Sequence, residues 1–234
     1  LLTTDGWIVT SQKVLRSGAS RIIAITSDRV SYTLEKVVMD SSNDAAFVKI
    51  KGERLPTLGT SSAGDVSPDA TLFSSDSNKR VYRLRYLGIT YGEGSENAVH
   101  SSEKLEKFLF VSSPDTSIQP GGPLINVNGE LVGIIDEATT GRAIPFEYVY
   151  PAFRELLKTG KAGRPYFGVN YLDLSALLYL RKEIARGAEI ISGAGRRGVL
   201  RGSPAANAGI VESDIIIKVN EDELGNKTSL SEVI

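Results

Sequence analysis

Histidine and cysteine, the side chains that most readily carry acid–base, nucleophilic or metal chemistry near neutral pH, are nearly absent from this chain. It has one histidine, His100, and no cysteine, which removes thiolate nucleophiles, thiolate metal sites and disulfides together. His100 lies in the polar stretch 92–104 among serine, glutamate and asparagine, and the sequence predicts a solvent-exposed loop histidine there. One histidine with dispersed carboxylates makes no metal-ligand spacing, so neither a metal nor a cofactor is expected. Arg196, Arg197 and Arg201 form a local basic group that suits an acidic tail or simply a solvated loop. A net charge of −1 gives no general attraction to nucleic acid or to an anionic membrane surface.

The elements that must position these groups are mostly strands. Short β-branched runs at 21–26, 29–33, 45–50 and 80–86 alternate with Gly, Ser, Asp and Asn clusters, the pattern of an antiparallel barrel or sandwich. Residues 124–127 and 130–135 flank Asn128-Gly129, which predicts a hairpin closed by a type I′ turn. A helix is expected over 151–159, with Phe153, Leu156 and Leu157 on one face and Gly160 closing it. The short, basic, glycine-containing stretch 159–164 marks a domain boundary. Beyond it come a strand at 166–171, a helix starting near Ser175 and a short helix in which Ser203 caps, Pro204 takes the first position and Gly209 forms the exit. A strand at 214–219 follows, and Ser229-Leu230-Ser231-Glu232 reads as a capping box.

No run approaches the roughly 18 to 20 apolar residues that span a bilayer, and no signal peptide opens the chain. The sequence starts in strand-like Leu1-Leu2-Thr3-Thr4 and stops within a helix-like stretch at Ile234. It is therefore expected to be a fragment, with any signal or anchor lying outside it.

Four segments in order resemble HtrA-type (DegP-like) serine proteases, which couple a chymotrypsin-like double β-barrel to a PDZ domain. Asp5-Gly6-Trp7-Ile8-Val9-Thr10 resembles the strand leading to the catalytic histidine, and Asn43-Asp44-Ala45-Ala46-Phe47-Val48-Lys49-Ile50 the segment carrying the catalytic aspartate. Gly121-Gly122-Pro123-Leu124-Ile125-Asn126 resembles the sequence just after the catalytic serine, and Ala143-Ile144-Pro145 the end of the protease domain. Tyr166-Phe167-Gly168-Val169 and the stretch Gly202-Ser203-Pro204-Ala205-Ala206-Asn207-Ala208-Gly209-Ile210 resemble PDZ segments. The resemblance implies a mainly β chain: a protease-like domain over 1–162, lacking its first strand, and a C-terminally incomplete PDZ domain over 165–234.

Within that resemblance the catalytic positions differ. Lys13 stands at the histidine position and Pro120 at the serine position, while Asp44 keeps the aspartate. The family's oxyanion donors would come from the backbone around Ile118, Gln119 and Pro120. Proline has no N–H, and β-branched Ile118 disfavours the positive φ open to glycine. These departures lead to the expectation of a protein that is not an enzyme, a pseudoprotease with Lys13 and Asp44 ion-paired in the former cleft. The alternative is a rearranged Ser–Lys centre in which Lys13 activates Ser117.

In the PDZ-like part, Tyr166-Phe167-Gly168-Val169 would hold a partner's terminal carboxylate while the tail pairs as an added strand. Phe167, Val169, Leu230 and Val233 are candidates for lining the pocket of the last side chain, or else they pack the domain core. The expected partners are polypeptides or protein C-terminal tails. A homotrimer, or a hetero-assembly with active relatives, and an extracytoplasmic location follow from the resemblance alone.

Overall fold

The computed structural model describes every residue except 16–21, 27, 41, 77, 92–98, 106, 113–117, 138, 177–185, 194 and 226–227. The chain divides into two compact units: Leu1–Thr90 with Lys107–Gly163, and Tyr91–Glu106 with Arg164–Ile234. A linear division at 162–165 would have put residues 91–106 in the first unit, whereas they cluster with the second.

The first unit opens with β1 (Trp7–Ser11), one helical turn α1 (Gln12–Leu15), β2 (Ile23–Ile25), β3 (Ser31–Asp40) and β4 (Ala45–Ile50). These strands make an antiparallel sheet in the order β1-β4-β3-β2. Ala45, Ala46, Phe47 and Ile50 of β4 are fully enclosed, which explains why this strand reads as an apolar run rather than an alternation. Then come β5 (Thr71–Ser75) and β6 (Val81–Tyr91). Next in sequence, β7 (Val99–Ser101) belongs to the second unit; β8 (Lys107–Ser112), β9 (Pro123–Ile125), β10 (Leu131–Glu137) and β11 (Arg142–Pro145) return to the first. Strands β10-β11-β8-β6-β5-β9 close into a barrel around Leu72, Leu84, Leu109, Leu124, Val132 and Ile135. Closure removes the exposed edges that an open sheet of this size would present.

The hairpin at Asn128-Gly129 forms with a different turn from the one expected. Gly129 has φ +81, but Asn128 is not among the residues with positive φ, so the type I′ geometry is absent. The Asn126 side chain accepts the N–H groups of Asn128 and Glu130, both at 3.0 Å, and Gly129 N donates to Asn126 O at 3.1 Å. An asparagine that caps its own turn favours a longer loop with a single left-handed glycine over the two-residue turn.

Helix α2 (Phe146–Thr159) starts five residues before the predicted Pro151, which lies inside it. The proline removes a single backbone bond, while the added turns bury Phe146 and Val149 beside Ala152, Phe153 and Leu156. Phe153 packs against Phe47 with ring centroids 5.3 Å apart and meets Trp7 edge-on at 6.1 Å, tying the helix to β4 and β1. Gly160 ends the helix as predicted, in the left-handed conformation, its N–H donating to Leu156 O at 2.9 Å. Among the described residues no helix is long and apolar enough to cross a membrane.

In the second unit, β7 joins β12 (Asn170–Asp173), β13 (Ala188–Ile190) and β14 (Ile215–Ile216) in a sheet of order β14-β13-β12-β7. Val169, Tyr171, Ala188, Ile190, Ala205, Leu224 and Leu230 form its core. The strand predicted at 166–171 begins only at Asn170; residues 166–169 form a loop in which Gly168 has φ +86. The predicted helix near Ser175 shows one 3-10 turn, Leu174–Ala176, and its continuation lies outside the described residues. Helix α3 (Pro204–Asn207) is capped by Ser203, whose Oγ accepts from Ala206 N at 3.1 Å, and α4 (Leu230–Val233) carries the predicted Ser229–Glu232 capping box.

His100 corrects the sequence reading. It is 6% exposed, in the middle of β7, with its ring 5.7 Å from that of Tyr171. A short strand in a polar stretch carries no apolar alternation of its own, so pairing with β12 was not legible locally.

Candidate functional site

In the first unit, α1 presents Lys13 directly after β1. Gln12 N donates to Asp44 O at 2.9 Å and Gln12 Nε2 to Asp40 O at 2.6 Å, so buried Gln12 fastens the start of α1 to the β3–β4 turn that carries Asp44. That turn is built on Asp40, whose carboxylate accepts from Ser42 N and Asn43 Nδ2. The 118–122 loop closes on the same place. A Cβ added to Gly121, which has φ +82, would lie 2.2 Å from Thr10 Oγ1 and 2.6 Å from Val14 Cγ2. The fold thus brings the neighbourhoods of Lys13, Asp44 and Pro120 together from three distant segments.

The partner of Lys13 is not the one the sequence suggested. Its Nζ lies 3.1 Å from Asp136 Oδ2 and 3.9 Å from Glu137 Oε2, both at the end of β10, where an ion pair with Asp44 had been expected. Arg142 donates to the same Asp136 oxygen through Nε at 2.9 Å and Nη2 at 2.5 Å, and its guanidinium lies over the Phe108 ring at 4.6 Å. Asp136 is fully buried and its Oδ1 has no hydrogen-bond partner among the described residues. Two cations on one oxygen offset the cost of burying this carboxylate.

In the 118–122 loop, Ile118 is buried in the barrel core and keeps a negative φ, unlike a glycine used as a left-handed donor position. Pro120 offers no N–H. Gly121 N donates to Ile135 O at 2.7 Å and Gly122 N to Gln119 O at 3.3 Å. Gln119 is exposed. Ser117, the alternative nucleophile, lies outside the described residues.

In the second unit, the loop 166–169 holds the carboxylate of Glu103. Phe167 N and Gly168 N both point at one oxygen, Glu103 Oε1, at 3.1 and 2.7 Å. Two amides converging on one oxygen make a strong anion site because each bond is charge-assisted. Gly168 is required: a Cβ there would lie 2.2 Å from Ser203 Cβ. Val169 and Leu230 are fully buried in the core, Phe167 and Val233 pack against it partly buried, and Tyr166 is exposed.

Sequence reasoning missed Asp136, Arg142, Ser102 and Glu103. Nothing in local composition distinguishes these from surface residues; only pairing over long sequence distances does. Among the described residues no cluster of His, Asp or Glu could hold a metal ion.

Residues 1–134 match the model of the trypsin-like peptidase domain family. The "Serine protease Do-like HtrA" of Bacillus subtilis (strain 168) is 30% identical over 244 residues, covering 97% of this chain and 54% of that protein. A "Probable periplasmic serine endoprotease DegP-like" of Hahella chejuensis is 27% identical over 249 residues, covering all of this chain and 50% of that protein. The chain thus spans about half the length of the curated relatives it matches. The solved "HtrA-type protease AlgW with tripeptide" superposes with a TM-score of 0.70 at 20% identity, covering 95% of this chain and 74% of that one. The fold is accordingly the mainly β, chymotrypsin-like one with barrel sheets. The relatives overturn one expectation. They are named serine endoproteases and serine proteases, which are enzymes, so the reading of this chain as a non-enzyme does not stand.

Proposed function

The chain belongs to the trypsin-like peptidase domain family as an HtrA-type protease homologue, and from that premise we propose that it recognises polypeptides by their C-terminal ends through a PDZ-like second unit. The observation that carries this reading is the pair of amides, Phe167 N and Gly168 N, aimed at a single carboxylate oxygen beside β12. In this recognition mode a tail adds to the sheet as a strand, and its terminal carboxylate is held by backbone N–H groups in a loop. Strand β12, whose edge β7 covers in this structure, supplies the pairing strand and the loop supplies the donors, while partly buried Phe167 and Val233 are the candidates for the apolar pocket. That AlgW, a structural neighbour, has been solved with a tripeptide and with a decapeptide supports polypeptide as the ligand class. The periplasmic relatives support an extracytoplasmic location. A scaffold or chaperone-type role and a trimeric assembly belong to the same proposal.

The experiment is a fluorescence titration of free-acid peptides against the wild type and Gly168→Asp. The wild type should bind and the variant should not; equal binding by both would overturn the loop assignment.

The names of the relatives favour a second activity in the same chain, serine endoproteolysis. Casein digestion together with fluorophosphonate labelling tests it. A label mapped to Ser117 would identify the rearranged Ser117–Lys13 centre.

A further inference from the structure

The carboxylate in the 166–169 loop comes from the chain itself. We infer that residues 99–103 are the resident ligand of this site, with Glu103 standing in for a terminal carboxylate, so that an outside chain end binds only by displacing them. This deepens the chain-end reading above and rests on it.

The observations form a continuous register. β7 pairs antiparallel with β12 through Leu172↔Val99, Tyr171↔His100 and Asn170↔Ser101. The pairing continues one residue further, where Ser102 N donates to Val169 O at 3.0 Å. Ser102 Oγ accepts from Val169 N at 3.0 Å, and Ser102 is 1% exposed. The next group along is the Glu103 carboxylate, which receives Phe167 N and Gly168 N and also Ser102 Oγ at 2.7 Å. An added strand running into a loop-bound carboxylate is what a docked C-terminal tail would present, with Ser102 as the last residue. Here a side-chain carboxylate replaces the main-chain one and the chain carries on past it.

The segment is also anchored along its length. His100 packs on Tyr171, and Leu105 just beyond the turn is 6% exposed. An ordinary surface loop would not place a buried histidine, a buried serine and a convergent carboxylate in the register of a peptide ligand. A resident ligand lowers the apparent affinity for any competitor by the fraction of time that the site is open.

The probe is a fluorescein-labelled octapeptide ending Val-His-Ser-Ser with a free carboxylate, the resident segment cut after Ser102, with its carboxamide as control. It is titrated into the whole chain as wild type, Glu103→Ala and Glu103→Gln. Amide hydrogen exchange at Phe167 and Gly168 is followed in parallel without peptide. Loss of the charged competitor should tighten free-acid binding by roughly 10-fold or more, leave the carboxamide unchanged and accelerate exchange at both amides. Glu103→Gln keeps the shape and should fall between wild type and Glu103→Ala. Unchanged exchange in Glu103→Ala, or equal free-acid affinity in all three proteins, would overturn the resident-ligand inference. Accelerated exchange with no peptide bound by any of the proteins would overturn the chain-end reading instead.

Discussion

Lys13 and Asp136 are 123 positions apart in the chain, yet the ammonium of one lies 3.1 Å from the buried carboxylate of the other. Arg142 shares that oxygen, so Asp136 is the point on which α1, the end of β10 and β11 are tied together.

Removing the charge of Asp136 should therefore cost much more than removing that of Lys13. Asp136→Asn leaves Arg142, 19% exposed, with its main counter-charge gone, and should destabilise the first unit by about 3 to 5 kcal/mol. Lys13→Met removes a side chain that is 41% exposed and should cost under about 1 kcal/mol. Urea unfolding measures both, and in double-mutant cycles Lys13 should couple to Asp136 more strongly than to Asp44.

Gly168 should tolerate no side chain. Its φ of +86 and the 2.2 Å approach to Ser203 Cβ mean that even alanine must displace the α3 cap. Gly168→Ala should lower the stability of the second unit by roughly 1 to 3 kcal/mol, read as an earlier thermal transition.

Tyr171 should make the second unit sensitive to alkali. Burial pushes its phenol above the ordinary value of 10.0, against the opposing pull of its bonds to Ser231. At pH above 10 the unfolded chain gives up this proton while the native phenol keeps it, so the unfolded state binds fewer protons and stability falls as pH rises. Below pH 10 the contribution is fully present. Tyr171→Phe should be less stable at neutral pH by about 1 to 3 kcal/mol, having lost the partner of Ser231. It should also lose less stability than the wild type between pH 9 and roughly 11, as chemical denaturation at each pH would show.

The positions of Lys13 and Pro120 can be tested by substitution. Lys13→His with Pro120→Ser would place an imidazole near Asp44 and a hydroxyl with its own N–H before Gly121. A restored donor alone is typically worth about 100- to 1000-fold. Fluorophosphonate labelling of the double variant, mapped to residue 120, should therefore exceed that of the unmodified chain. Equal labelling would mean that 13 and 120 do not hold the family's base and nucleophile positions.

Local patterns made much of the fold legible. Strand β4 over Ala45–Ile50, the Gly160 helix stop, the Ser203 cap and the Ser229 capping box each depend on neighbours within a few residues, and each forms where expected. The Asn128-Gly129 hairpin was located correctly but its turn was not, because the deciding contact comes from the Asn126 side chain. The site was far less legible. His100, Ser102 and Glu103 form a polar stretch with no periodicity, and their burial comes from pairing with β12 about 70 residues later. The Lys13–Asp136 pair was hidden for the same reason, since charge alone does not say which of 28 acidic residues a lysine will meet.

The most direct test of chain-end recognition follows the backbone amide signals of Phe167 and Gly168 by NMR. A free-acid peptide and its carboxamide are titrated into Glu103→Ala, in which the loop's own carboxylate is absent. If the loop holds chain ends, the free acid moves both signals strongly and the carboxamide moves neither. Equal shifts with the two peptides, or no shift with either at millimolar concentration, would contradict chain-end recognition.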